Sequence, residues 1–338
     1  MRIFWRIVQA LLVLCSAPVF AQPHEYLYVE NSAAGTVSVI AVPENKLVGT
    51  IPASKIGHHP DDVAITPDGS MLLVNRLDSE DVVALDARTE KVLFTVPVGG
   101  VPNHITVSRD GRLLYVPIFN GTELKIVDLA ARKIVGSVDI GMGAHATRLS
   151  PDGKRLYVGH MWNQAIMVVD LAKGEVVRTY EFDRPVRPFA VSPDEKTLYV
   201  QTSNLSGFYV VDTASGRIAR KVEMPTPLPP GTTLSFPYTV DHGLALTADG
   251  KRLLAAGSMT GHVAIFAVPD MKVLADIPVG REPNWIALSR DERFAYVSNR
   301  KDDTISVIDM AALREVGRIA VGDLPQRMHT AIVDREVE

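Results

Sequence analysis

A step of 42 residues governs this chain. Asp68-Gly69, Asp110-Gly111, Asp152-Gly153, Asp194-Glu195, Asp249-Gly250 and Asp291-Glu292 each follow a short apolar run, and a weaker copy stands at Asp334-Arg335. The spacings are 42, 42, 42, 55, 42 and 43 residues. A second ladder, Asp86, Asp128, Asp170, Asp212 and Asp309, steps by 42, 42, 42 and 97. Both ladders place one insertion of 13 residues in the same interval. Such a period means supersecondary units that cannot bury an apolar face alone and must stack on their neighbours.

Each unit reads as four short strands. In the third, these are residues 146–150, 155–158, 165–170 and 176–182, with the turn Pro151-Asp152-Gly153 after the first. The runs are rich in Val, Ile, Leu and Tyr, and Gly, Asp, Asn and Pro separate them. Four antiparallel strands in about 42 residues make a propeller blade. A β-helix needs shorter coils, and a helical solenoid needs a 3.6-residue period that is missing here. The chain opens on outer strands (26–29, 36–42, 47–51) and closes on an inner one (about 328–333). Joining these ends predicts an all-β, seven-bladed propeller of four-stranded antiparallel blades. The C-terminal inner strand pairs with the N-terminal outer strands and leaves no open blade edge. Residues 22–338 are expected to form this single domain.

Residues 1–21 follow another rule. Arg2 and Arg6 precede an apolar run from Ile7 to Leu14, and Val19-Phe20-Ala21 offers a peptidase site before Gln22. This predicts a cleaved secretory signal peptide, too short to span a membrane, and a periplasmic or secreted, soluble product. Leu12-Val13-Leu14 before Cys15, the sole cysteine, lacks the small residue of a lipidation box. The mature chain then has no cysteine, so no disulfide, no covalent c-type haem, no cysteine-bound iron–sulfur cluster and no thiol catalysis is expected. It keeps 33 basic against 39 acidic residues, a formal balance of −6. That acidic balance, without a basic stripe, argues against nucleic acid as a partner.

The motif Tyr296-Val297-Ser298-Asn299 recurs as Tyr28-Val29-Glu30-Asn31, Tyr115-Val116-Pro117, Tyr157-Val158-Gly159 and Tyr199-Val200-Gln201, and decays to Leu73-Val74-Asn75 and Ala255-Ala256-Gly257. A Val-Gly-x-x-Pro step appears at Val98, Val279 and Val321. In these features the whole mature chain resembles the YVTN-repeat propellers. It is similar to the YncE-like exported proteins and to propellers associated with PQQ-dependent alcohol catabolism. The resemblance implies the fold and leaves the function open, because such scaffolds serve many roles.

Loops that enter the inner strands crowd one mouth of a propeller's channel. Aligning the units there gives Asp61, Asn103, His145, Arg187, His242, Asn284 and Gln326, one polar residue per blade. The adjoining column holds Asp62, His104, Ala146, Pro188, Gly243, Trp285 and Arg327, with His58, His59 and His329 nearby. Six of nine histidines therefore gather at this end. Arg187 is the candidate charge anchor for an anion, with His145 and His242 as hydrogen-bond partners. His145 and His242, with His104 as a further candidate, are also the candidate ligands of a bound metal, although a nearby arginine opposes a dication. A solvated ring of purely structural residues is the alternative. The insertion, residues 224–238, carries Pro225, Pro227, Pro229, Pro230 and Pro237 and emerges at the same mouth, as a stiff lid, a docking edge or a tolerated loop. The Asp-Gly pairs and the strand-end aspartates read as turn architecture. His160 and Trp162 interrupt a hairpin loop and read as an ordinary surface loop or as a partner contact on the opposite face.

These readings favour a monomeric, non-catalytic binding or accessory propeller that recognises a small ligand or a periplasmic protein partner at its polar mouth. The alternative is a metal- or histidine-dependent lyase or lactonase-like hydrolase at that mouth.

Overall fold

The computed structural model describes residues 24–233 and 239–335. The predicted signal peptide lies outside them. They form seven four-stranded antiparallel sheets, each ordered from an inner to an outer strand. The unit read most closely from sequence folds as Ala144–Leu149, Arg155–His160, Ala165–Asp170 and Glu175–Glu181, so its boundaries shift by one or two residues.

Blade 1 is composite. Its inner strand, Pro325–Val333, pairs with His24–Asn31, followed by Thr36–Val42 and Lys46–Ile51. Register runs from His24 opposite Val333 to Tyr28 opposite His329, so the two ends of the described chain are hydrogen-bonded neighbours. The ring is closed as the repeat phase predicts.

The core is divided into seven wedges, one between each pair of adjacent blades. Alternation along a strand supplies it: Tyr26 and Tyr28 enter the wedge between blades 1 and 2, while Leu27 and Val29 enter that between blades 7 and 1. Each fully buried Leu or Phe in these wedges contributes about 1.5–3 kcal/mol.

Turn chemistry repeats with the period. Ser108, Ser150, Ser192 and Ser289 each donate through Oγ to the aspartate two residues on. Asp86, Asp128, Asp212 and Asp309 accept local backbone N–H groups at the ends of their strands. These aspartates are structural, as their position in the repeat predicts.

The recurring motif also has a mechanical role. The Asn75 amide donates to the carbonyls of Pro102 and Asn103 (both 3.2 Å) in the next blade's entry loop. Asn31 and Asn299 instead clamp hydroxyls of their own blades. A Cβ at Gly280 would collide with Asn299, and one at Gly322 with Asn31. In these two copies the glycine of the Val-Gly-x-x-Pro step lets the entry loop close over the motif asparagine, whereas a Cβ at Gly99 would meet nothing within 4 Å.

Candidate functional site

The mouth residues owe their direction to a repeated irregularity. Strand pairing skips at Asp61, His145, Asn284 and the Arg187-Pro188 pair, and at Glu30 opposite Gln326 and Arg327. In blades 3 and 6 the inner strand is shortened to Thr106–Val107 and Leu244–Leu246, leaving His104 and His242 just outside regular pairing. A bulge frees one residue from the ladder and re-aims its side chain.

A cavity of about 1010 Å³ opens among these residues. His145, Arg187, His242, Asn284, Gln326 and Arg327 line it. His104 and Trp285 stand against its histidines: the His104 ring lies 4.9 Å from that of His145 and 5.1 Å from Trp285, centroid to centroid. Asp61 is held by Arg327. Asn103 is turned back, its Oδ1 accepting the His104 backbone N–H at 3.0 Å. His58 and His59 are exposed, His59 pairing with Asp78 at 2.7 Å. His329 lies further along its inner strand, 3.8 Å from Asp62. Three of the six histidines therefore converge.

Hydrogen bonding fixes the state of these imidazoles. Burial, and then the nearby guanidinium charges of Arg327 or Arg187, hold His104, His145 and His242 well below the ordinary imidazole range. All three are neutral at pH 7. His242 Nδ1 lies 2.9 Å from the Asn284 carbonyl, which only accepts, so the proton is on Nδ1 and Nε2 bears a lone pair. That lone pair faces His145 Nε2 at 3.4 Å, making His145 Nε2–H the donor and leaving His145 Nδ1 unprotonated, buried and unpartnered. Arg327 Nε donates to His104 Nε2 at 2.7 Å, so His104 carries its proton on Nδ1, also buried without a partner.

Around them sits unusual charge. Arg327 is 3% exposed and reaches Asp61 through Oδ1 (2.5 Å) and the backbone carbonyl (2.6 Å). Burial lifts Asp62 to about 7 despite Arg327, and pushes Glu30 well above the carboxylate range. Arg187 donates to Ser203 Oγ (2.8 Å) and lies 3.3 Å from Met161 Sδ. Arg281, Arg300 and Lys301 add cations to the lining, against Glu282 as its described acid.

Arg300 and Lys301 escaped the sequence reading because they lie in the hairpin loop after the second strand of blade 7, and Arg281 because it stands in the entry loop outside the aligned columns. The end of that second strand faces the start of the inner strand, as Pro283 opposite Asn299 shows, so these loops share the mouth. The same pairing corrects the expectation for His160 and Trp162. His160 pairs with Ala144 beside His145, which puts both residues on the mouth face. Trp162, 46% exposed, packs at a tilt against Phe119 with centroids 4.9 Å apart.

The insertion meets the cavity too. Thr233 and Thr239 line it with His242. Its first turn is tied to blade 6, where Thr226 bonds Asp276 and approaches His262 Nδ1 at 3.2 Å. Residues 234–238 lie outside the described chain.

Two imidazole nitrogens on a tetrahedral zinc stand about 3.3 Å apart, close to the His145–His242 separation. A third ligand is wanting, since Arg327 occupies His104 Nε2. Among the described residues no group of three or more His, Cys, Asp or Glu side chains is arranged to hold a metal ion.

Residues 57–243, more than half of the chain, match the YNCE-like beta-propeller family. The chain belongs to that family. No curated protein matches this YNCE-like propeller. Solved structures share its fold at low identity. Hydrazine synthase of Kuenenia stuttgartiensis is 21% identical, with 90% of this chain and 99% of that one covered and a TM-score of 0.72. A protein of unknown function from Desulfotomaculum acetoxidans is 12% identical, with 91% and 99% covered and a TM-score of 0.73. A proposed 6-phosphogluconolactonase of Bacteroides fragilis is 16% identical, with 93% and 99% covered and a TM-score of 0.71. The fold supports ligand or partner binding at its axial mouth. Among the described residues no helix is long and apolar enough to cross a membrane.

Proposed function

We propose that the mouth takes a small anionic substrate and that His145 and His242 act on it as a neutral acid–base pair. This makes the protein a histidine-dependent lyase or lactonase-like hydrolase of the periplasm, working as a monomer. The observation that carries the reading is the buried His145–His242 contact facing a cavity rimmed by Arg187, Arg281, Arg300, Lys301 and Arg327. A passive anion site needs the cations alone. His145, held neutral beside them, keeps an unpartnered lone pair on Nδ1 for proton transfer, while those of His104 and His242 already accept from Arg327 and His145. In lactone hydrolysis, His145 removes a proton from water as its oxygen adds to the carbonyl carbon. The guanidinium groups stabilise the oxyanion, and collapse breaks the ring C–O bond, whose oxygen takes a proton back. The lactonase designation of the Bacteroides fragilis relative makes anionic sugar lactones the first substrates to try.

The test is turnover by the purified mature protein of a panel of phosphorylated and carboxylated sugar lactones and uronates. His145→Ala and His242→Ala are expected to lower kcat/KM at least 100-fold for the active member. Anion binding without turnover across the panel would return the protein to a binding or accessory role. A second reading, in which this pair holds a metal, is favoured by the 3.4 Å separation alone. Metal retained stoichiometrically after purification, and lost in both alanine variants, would establish it.

A further inference from the structure

The channel has a second opening. On the face opposite the histidines, a cavity of about 430 Å³ spans the turns and inner strands of five blades, and it shares no described lining residue with the mouth. Trp285 stands between the two ends. It is 4% exposed, its ring lies 5.1 Å from His104 and 6.2 Å from His242, and the Arg148 guanidinium covers it at 5.0 Å.

Arg148 lines this lower cavity among Ala190, Ala245, Leu246 and Ile286, with Arg109 at the rim. Its guanidinium has five N–H donors. One bond, from Nη1 to the Thr147 carbonyl at 3.1 Å, is made within the protein, and no described carboxylate forms an ion pair with it. The buried Asp62 carboxyl acts on Arg148 through space, without an ion pair, and a half-buried cation in a largely aliphatic well stays costly unless an anion completes it. The other guanidines near the axis are tied differently: Arg327 to Asp61, Arg187 to Ser203. Arg148 lies over the Trp285 ring, which anchors the guanidinium at the wall of the well. Bidentate donation from a guanidinium suits a carboxylate.

We propose that this lower opening is a separate binding site for a small organic carboxylate with an apolar body. The head group meets Arg148, and the body lies against Ala190, Ala245, Leu246 and Ile286. One cation at the base and one at the rim suit a monoanion, and the aliphatic wall selects against inorganic phosphate.

Trp285 reports on the site. In the mature Trp162→Phe protein it is the sole tryptophan, and octanoate is the probe, with inorganic phosphate as the comparison. Octanoate is expected to change the Trp285 fluorescence saturably. Arg148→Met should weaken binding at least tenfold, whereas His145→Ala and His242→Ala leave it unchanged, so this site and the proposed activity fail independently. Ala245→Leu, which fills the well and keeps every charge, should also abolish the response and guards against misfolding of the arginine variant. Equal binding by Arg148→Met and wild type would overturn the proposal. So would phosphate binding as tightly as octanoate, or loss of the response in the histidine variants alone.

Discussion

Asp241 offers a direct test of the electrostatics at the mouth. It is wholly buried one residue before His242, its Oδ2 accepts the Gly207 backbone N–H at 2.5 Å, and its Oδ1 has no partner. Burial raises this carboxyl to about 8, so the folded protein holds it protonated at pH 7. The unfolded chain, near 3.9, does not. A group raised on folding contributes its full share of stability below the unfolded value and loses it as pH climbs through the folded one. The folded state thus binds the extra proton between about pH 4 and pH 8, and stability falls by about 1.4 kcal/mol per pH unit from this group. By pH 7 the accumulated cost is on the order of 4 kcal/mol. Asp241→Asn removes it. The amide oxygen takes over the Gly207 bond, and the new N–H donors in a buried site give back about 1–3 kcal/mol. The variant should be less stable than wild type at pH 4 and level or better at pH 7.5, a relative swing of about 4 kcal/mol. Urea denaturation at the two pH values measures it. A difference that does not change with pH would show that Asp241 is ionised in the folded protein and refute the reasoning.

Closure and charge give three further tests. Met328, 1% exposed on the closing strand, packs in the wedge between blades 7 and 1, so Met328→Ala should cost about 2–5 kcal/mol in urea denaturation. Removal of the strand from Pro325 onward should abolish cooperative unfolding; a cooperative transition in that truncated chain would show that closure is dispensable. Arg327→Met strands Asp61 without its partner and should destabilise the fold by about 3–5 kcal/mol in urea denaturation at pH 7.

The fold was legible because its information is periodic. Turn aspartates, motif tyrosines and the missing half-blade at each end all report the same 42-residue step, and each local signal agrees with the global ring. The mouth was legible in part, since the same register named one residue per blade. It could not show that Asn103 would turn back on its own backbone, because that depends on a side-chain rotamer. Nor could it show that Trp285 would reach across the axis from blade 7 to His104 of blade 3. Arg300 and Lys301 were hidden for another reason: they stand in a hairpin loop that becomes a neighbour of the mouth only once the strands pair. Glu30 looked like a variable position in a repeat motif, and only its bulge places it beside Asp61 and Arg327.

The bulges divide labour along each inner strand. A residue that skips the ladder bears none of its hydrogen bonds, and its side chain faces the axis instead of a wedge of core. Mutation there at His145 or Asn284 changes what the mouth recognises while blade pairing stays intact, whereas Asp61 and Arg327 also hold each other. Such skips occur in five of the seven blades. Descendants of the same scaffold can then diverge in ligand at the unpaired ones without first rebuilding their fold, and an engineer can vary those together in a library whose members still close.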